Sequence, residues 1–237
     1  LDSTLPLLVV FVAGALQGFC GFGYSLLAMP LLLLVMPAGT AVPMLCVTGI
    51  ALNVVLLIST RKHLDLRGFT PMAIAGVLFT PAGVWLIREV PAESAKTAIG
   101  IGVAVISLAM LLKLRLGLRK TPAGLLAAGA VSGILNGFAT FSGPPVVLLL
   151  SASGEGKDGI RSCLAAYFLL LGTIGALSYY TMGVLTPEAI PSIALALPFT
   201  VLGAVIGALL ARRSGSEAFR RLSLVIMAVL GLLTAMV

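Results

Sequence analysis

The sequence predicts an all-α membrane protein of two inverted repeats, each a re-entrant or broken helical hairpin followed by three transmembrane helices. Three observations carry this expectation. Of 237 residues, 59% are hydrophobic and only 10% are charged, against about 25% charged in soluble domains. Mean hydropathy is +1.17, and the apolar residues fall in long runs. Two of those runs are interrupted by Gly and Pro at matching points. A soluble chain so poor in charge could not cover its apolar residues with a water-compatible surface. A soluble enzyme, a nucleic-acid-binding domain and a disordered chain are thereby excluded.

In order, the runs are Leu5–Met36, Ala41–Ser59, Phe69–Ile87, Ala95–Leu112, Pro122–Ser151, Ser162–Thr181, Ala189–Leu210 and Ala218–Val237. Six approach the ~20 residues that cross a ~30 Å hydrocarbon core. Leu5–Met36, at 32 residues, would be about 48 Å long as one helix. Pro122–Ser151, at 30 residues, would be about 45 Å. The first holds Gly18, Gly21, Gly23 and Pro30, the second Gly137, Gly143, Pro144 and Pro145. Each is expected to be two short helices joined by unwound backbone. No removable targeting segment is expected ahead of the first run.

The two broken runs also match each other. Gly14-Ala15-Leu16-Gln17-Gly18 pairs with Gly129-Ala130-Val131-Ser132-Gly133, and Pro30 with Pro145, both at an offset of 115. Cys46 and Cys163 pair at 117, and Gly83 and Gly203 at 120. Two halves follow, residues 1–118 and 119–237, joined through the basic stretch Lys113–Thr121. Such repeats in transporters commonly enclose a site between them.

Charge placement selects the topology. If all eight runs crossed, the 15 cations would divide seven to eight between the faces, against the positive-inside rule. If the first and fifth runs dip in and return, 13 cations share one face and only Arg88 and Lys96 remain on the other. Six spans and two re-entrant hairpins are therefore expected, with the basic loops cytoplasmic and both termini outside. Three crossings per half is odd, so the second half is inverted relative to the first. The net charge of +7 is topogenic on this reading, with no nucleic-acid partner.

A break in a helix at membrane depth is tolerated only where it is buried in protein or lines a cavity. Where the helix restarts, its first N–H groups lack partners and its dipole favours anions. The first break brings Gln17, Gly18, Gly21, Phe22, Gly23, Tyr24 and Ser25. The second brings Asn136, Gly137, Thr140, Ser142, Gly143 and Pro144. Asn53, alone in an apolar run, is a candidate for the same cavity. Hydroxyls and amides there can donate to an oxyanion. Gln17 and Asn53 equally suit a bond to a neighbouring helix, and the Gly14/Gly18, Gly129/Gly133 and Gly203/Gly207 pairs suit helix packing. The expected partners are thus a small anionic substrate and the bilayer.

Other chemistry lacks its residues. Every acid lies in or beside a loop, so a proton relay has no carrier at membrane depth. Cys20, Cys46 and Cys163 form no CxxC pair and have no nearby His, so neither a metal nor a cofactor is expected. Walker, HExxH and Gly-x-Ser-x-Gly motifs do not occur. Arg161 suits a headgroup anchor better than an inward reach toward Asn136 and Thr140, and Trp85, Tyr179 and Tyr180 are read as an interfacial belt.

Gly14-x3-Gly18-x2-Gly21-Phe22-Gly23 followed by Pro30-Leu31-Leu32, with a second copy ending Ser142-Gly143-Pro144-Pro145-Val146-Val147, resembles the sulfite exporter TauE/SafE family over nearly the whole chain. The first copy departs by carrying Phe22 and Tyr24 where many members have further glycines. The resemblance implies movement of sulfite, a sulfonate such as sulfoacetate, or a related anion across a bacterial inner membrane. It also implies that the two glycine-rich hairpins hold the anion. Alternating-access export is the reading adopted. An anion channel, or transport of another small organic anion in either direction, is the alternative. An enzyme using the Cys20 thiol is disfavoured, because no base lies within sequence reach of it.

Overall fold

The computed structural model describes residues 4–64, 69–112, 121–151 and 157–211. All regular structure among them is helical: α1 (Thr4–Cys20), α2 (Tyr24–Leu32), α3 (Ala38–Thr60), α4 (Thr70–Glu89), α5 (Ala92–Leu111), α6 (Pro122–Ala139), α7 (Gly143–Ser151), α8 (Lys157–Thr181) and α9 (Ile190–Ala211), with short 3₁₀ turns at Arg61–His63 and Pro187–Ala189. Six of the described helices are long and apolar enough to cross a membrane: α3, α4, α5, α6, α8 and α9. Their outward faces carry Ile58, Leu78, Trp85, Val105, Leu177 and Leu202, all exposed, as a lipid-facing surface requires.

Five of those six coincide with expected spans. The eighth apolar run, Ala218–Val237, residues 65–68 and the basic stretches 113–120 and 212–221 lie outside the described residues. The two broken runs are interrupted where the glycines predicted, at 21–23 and 140–142. The expectation of two short helices in each needs correcting, because the arms are unequal. The leading arms have 17 and 18 residues and the returning arms 9 each. At 1.5 Å per residue the leading arms are about 26 Å and the returning arms about 14 Å. The breakers sit past the middle of each run, so only the second arm is half-length.

Each break has a local cause. Gly21 and Gly23 adopt φ of 89° and 106°, a region that glycine enters without steric cost. In the second break the same role falls to Thr140, the one non-glycine residue with positive φ among those described. A β-branched residue there costs about 1–2 kcal/mol. Its N–H and that of Phe141 bond back to the carbonyls of Asn136 (2.8 Å) and Leu135 (3.1 Å), which closes the end of α6. Ser132 Oγ then donates to the Ser142 carbonyl at 2.7 Å. Ten residues apart in sequence, the two meet only because the chain reverses after α6.

Small residues bring the helices together. Gly14 and Gly18 of α1 lie against the backbone of Thr200 and Ala204 on α9, while Gly203 and Gly207 of α9 lie against Phe11 and Ala15. The same device joins α6 to α4: Gly129, Gly133 and Gly137 sit on the carbonyls of Met72, Gly76 and Thr80. At each of these glycines an added Cβ would run into neighbouring backbone. Close backbone approach is the main source of helix association where no hydrophobic effect drives it. Between the two tight pairs stand α3 and α8, packed on each other, with Gly172 of α8 against Ile50 of α3.

Gly133→Val should therefore lower stability by about 1–3 kcal/mol or more through overpacking. Gly102 on α5 has nothing within 4 Å of a would-be Cβ, so Gly102→Ala should raise stability by about 0.5–1 kcal/mol. Thermal unfolding of the detergent-purified protein checks both, and equal effects at the two positions would contradict the packing described.

Candidate functional site

The two breaks meet. Phe22, inside the first, lies beside Gly143, which opens α7, and Phe168 of α8 also packs at Gly143. Next to this contact is a cavity with about 50 Å³ of space for water-sized spheres, room for roughly four waters at ~10–15 Å³ each. Gly23, Tyr24, Ser25 and Leu26 line it from the first hairpin, and Asn136, Thr140, Phe141, Ser142 and Gly143 from the second. Gln17, Asn53, Cys46, Phe168 and Gly172 are among the residues completing the wall, which contains no charged side chain.

An amide network shapes one side. Gln17 Nε2 donates to Asn53 Oδ1 at 2.9 Å, and Asn53 Nδ2 donates to the Gly49 carbonyl at 2.8 Å. Gln17 Oε1 accepts the Tyr24 N–H at 3.1 Å. Gln17 thus caps α2 from within its own hairpin and ties α1, α2 and α3 together. A helix begins with unpartnered N–H groups. In α2 the first is taken by Gln17, and the Leu27 N–H bonds to the Gly23 carbonyl at 3.0 Å. The Ser25 and Leu26 N–H groups between them face no partner among the described residues, and both residues line the cavity.

The start of α7 is poorer in donors. Its second and third residues are Pro144 and Pro145, which have no N–H. Only Gly143 retains a donor in that first turn. The two helix starts are therefore unequal: α2 supplies two open N–H groups and α7 one, although the α7 dipole still points the same way.

Several side chains expected at the site are engaged elsewhere. The Tyr24 hydroxyl bonds with Thr48 (2.8 Å) and Thr200 (3.0 Å), linking α2 to α3 and α9 and leaving its ring toward the cavity. Asn136 Nδ2 donates to the Leu171 carbonyl at 3.0 Å, and Thr140 Oγ1 to the Ala139 carbonyl at 2.7 Å. Five other expected residues do not line the cavity. Gly18 packs on α9 and Gly137 on α4, Gly21 sits on Arg161, Phe22 packs on Gly143, and Pro144 lies beyond the cavity wall. Wall residues not anticipated are Leu26, Leu45, Cys46, Gly49, Phe141, Phe168 and Gly172. Most are apolar or glycine in apolar runs and carry no sequence signal. Cys46 donates its thiol to the Gly172 carbonyl at 3.3 Å, a structural use.

Two further expectations are corrected. Arg161 is not a headgroup anchor but is 4% exposed, bonded through Nη2 to the Gly18 carbonyl at 2.6 Å. Tyr179 is fully buried and donates to the carbonyls of Gly137 (2.7 Å) and Asn136 (3.3 Å). Its neighbour Tyr180 and Trp85 are exposed, as an interfacial belt requires.

A helical membrane protein with two interrupted hairpins meeting around one polar, uncharged cavity has the build of a solute transporter. Residues 6–234 match the family model described as sulfite exporter TauE/SafE. The chain belongs to that family, whose members are membrane transporters of the sulfite and sulfonate exporter type. No match to the chain was found among curated proteins or among solved structures.

Gln17→Ala should cost about 1–3 kcal/mol, because it leaves the buried Tyr24 N–H without a partner and takes the Nε2 donor from Asn53. Gln17→Ala and Asn53→Ala combined should cost less than their sum, with a coupling of about 0.5–3 kcal/mol. A double-mutant cycle on thermal unfolding measures it, and strict additivity would contradict the shared network.

Proposed function

We propose that this protein exports a small sulfur oxyanion, sulfite or a small sulfonate, from the bacterial cytoplasm across the inner membrane by alternating access. The observation that carries this reading is the meeting of two helix breaks, 119 residues apart at Gly23 and Ser142, around one cavity. There the N–H groups of Ser25, Leu26 and Gly143 are the open donors. Backbone N–H groups at helix starts suit an oxyanion because they carry partial positive charge and are already fixed in place. Ser25 and Ser142 line the same space, and their rotatable hydroxyls can adjust to the anion's oxygens. Cavity size favours the smallest candidate: roughly four water-sized positions match the four heavy atoms of sulfite, while a sulfonate such as sulfoacetate requires the walls to part.

The helix packing supports two halves related by an inverted two-fold. The first helix of the first half, α1, packs on α9 of the second, and α6 packs on α4. Each half thus lends its hairpin to the other, and the central α3–α8 contact is the one such a two-fold would map onto itself. Rocking of each hairpin with its partner helix about this pair would open the cavity to one face and then the other.

The driving force is the membrane potential. Among described residues the acids Glu89, Glu93, Asp158 and Glu188 are all exposed, so none is placed to carry a proton through the centre. With an inside-negative potential, outward movement of one negative charge is favoured by about 2.3 kcal/mol per 100 mV. That corresponds to nearly fifty-fold accumulation outside, without a coupled ion.

Proteoliposomes loaded with sulfite and given a potassium diffusion potential test this. Efflux should rise by more than about tenfold when the interior is negative and fall below the zero-potential rate when the sign is reversed. Flux indifferent to the sign, or no flux at all, would overturn the proposal.

A further inference from the structure

Arg161 is the one charged side chain buried among the described residues, and it does not line the cavity. A buried cation in a membrane protein is costly to hold and marks a functional position. Its surroundings indicate which function. Nη2 donates to the Gly18 carbonyl at 2.6 Å, Nη1 to Asp158 Oδ1 at 3.1 Å, and its Cγ lies within 2.8 Å of where a Cβ on Gly21 would stand. Gly21 and Gly18 belong to the last turn of α1 and the start of the break. The guanidinium therefore sits on the carbonyl end of that helix, where the dipole is negative.

The other break is held differently. The carbonyl end of α6 receives the neutral Tyr179 hydroxyl on Asn136 and Gly137. Both holders belong to α8, 18 residues and about 27 Å apart, so one helix grips both hairpins near its two ends. The grip on the second hairpin is a phenol on two backbone carbonyls. The grip on the first is an ion pair whose carboxylate, Asp158, is half-exposed. Arg161 Nε has no partner among the described residues, so the guanidinium is held by two of its nitrogens only.

We propose that Arg161 is a positioning residue that acts as a latch. Bonded to Gly18, it holds the α1–α2 break against the start of α8 and closes the cavity toward the face where Asp158 meets water. Its release from the Gly18 carbonyl lets the hairpin swing and opens that face. Phe22 and Phe168, both buried and both packed at Gly143, are the side chains that such a swing would part. The latch rests on the transport reading for its purpose, but its contacts can be tested without transport.

Cys20 stands one residue before the break and is partly exposed, whereas Cys46 and Cys163 are buried. Alkylation of all three native thiols in the full chain, resolved by peptide mass spectrometry, reports the latch and global unfolding at once. In Arg161→Gln, Cys20 should react at least about fivefold faster than in the wild type while Cys46 and Cys163 stay protected, the scale of a typical coupling between states. Cys20 reactivity unchanged within about twofold would overturn the proposal. If Cys46 and Cys163 also become reactive, Arg161→Lys decides in its place, since it keeps the charge and loses the paired donors. A selective rise at Cys20 there supports the latch, and no rise overturns it. In the sulfite assay, Arg161→Gln should lower maximal flux about tenfold with KM within about twofold, because a latch biases the cycle and leaves the binding groups alone. A wild type that moves no sulfite would remove the transport reading, and the Cys20 result would still decide the latch.

Discussion

Everything in this structure answers to one constraint: a helix broken inside a bilayer must find partners within the protein for the backbone groups it frees. The breaks at 21–23 and 140–142 free carbonyls at the ends of α1 and α6 and N–H groups at the starts of α2 and α7. The carbonyls are met by Arg161 and Tyr179 from α8. Some N–H groups are met by Gln17 or removed by Pro144 and Pro145. What remains open is a small set of donors facing one cavity. The candidate site is thus where the break leaves backbone donors without a partner among the described residues, and this gives it a physical meaning beyond its being a hole.

The glycine contacts serve the same constraint from further away. Only because α1 lies backbone to backbone on α9, and α6 on α4, do the two breaks come close enough for Phe22 to touch Gly143. A chain with alanine or larger at Gly18, Gly133 or Gly137 would separate the hairpins before it altered the cavity. Gly18 and Gly137 therefore matter to the site without lining it. The two hairpins also differ where they face the cavity. The first hairpin has two open donors and a buried cation behind it, and the second has one donor and a phenol. Unlike hairpins of this kind leave net direction to the driving force on the solute, since the asymmetry of a carrier alone cannot set it.

Much of this was legible in the sequence, and for identifiable reasons. Glycine at positive φ and proline without an N–H act locally, so Gly21, Gly23, Pro144 and Pro145 marked the breaks without any tertiary information. Long apolar runs marked α3, α4, α5, α8 and α9 equally well. Interactions fixed by tertiary contact were not legible. Nothing local distinguishes an arginine that anchors at headgroups from one that reaches the Gly18 carbonyl, 143 residues away. Tyr179 and Tyr180 read alike as a pair, yet helical rotation buries one on α6 and exposes the other. The glycines that pack and those that line the cavity also share one composition signal, which is why Gly18 and Gly137 were grouped with Gly23 and Gly143.

The two breaks are proposed to form one anion site, and a bound anion there can be located directly. Selenite has the pyramidal shape of sulfite and a heavier central atom, so a crystal of this protein grown with selenite would place the anion by its anomalous signal. The account predicts a single strong peak in the cavity, with its oxygens at hydrogen-bond distance, roughly 2.7–3.2 Å, from the N–H groups of Ser25 or Leu26 and of Gly143. A strong peak elsewhere with none in the cavity, including one at Arg161 alone, would contradict it.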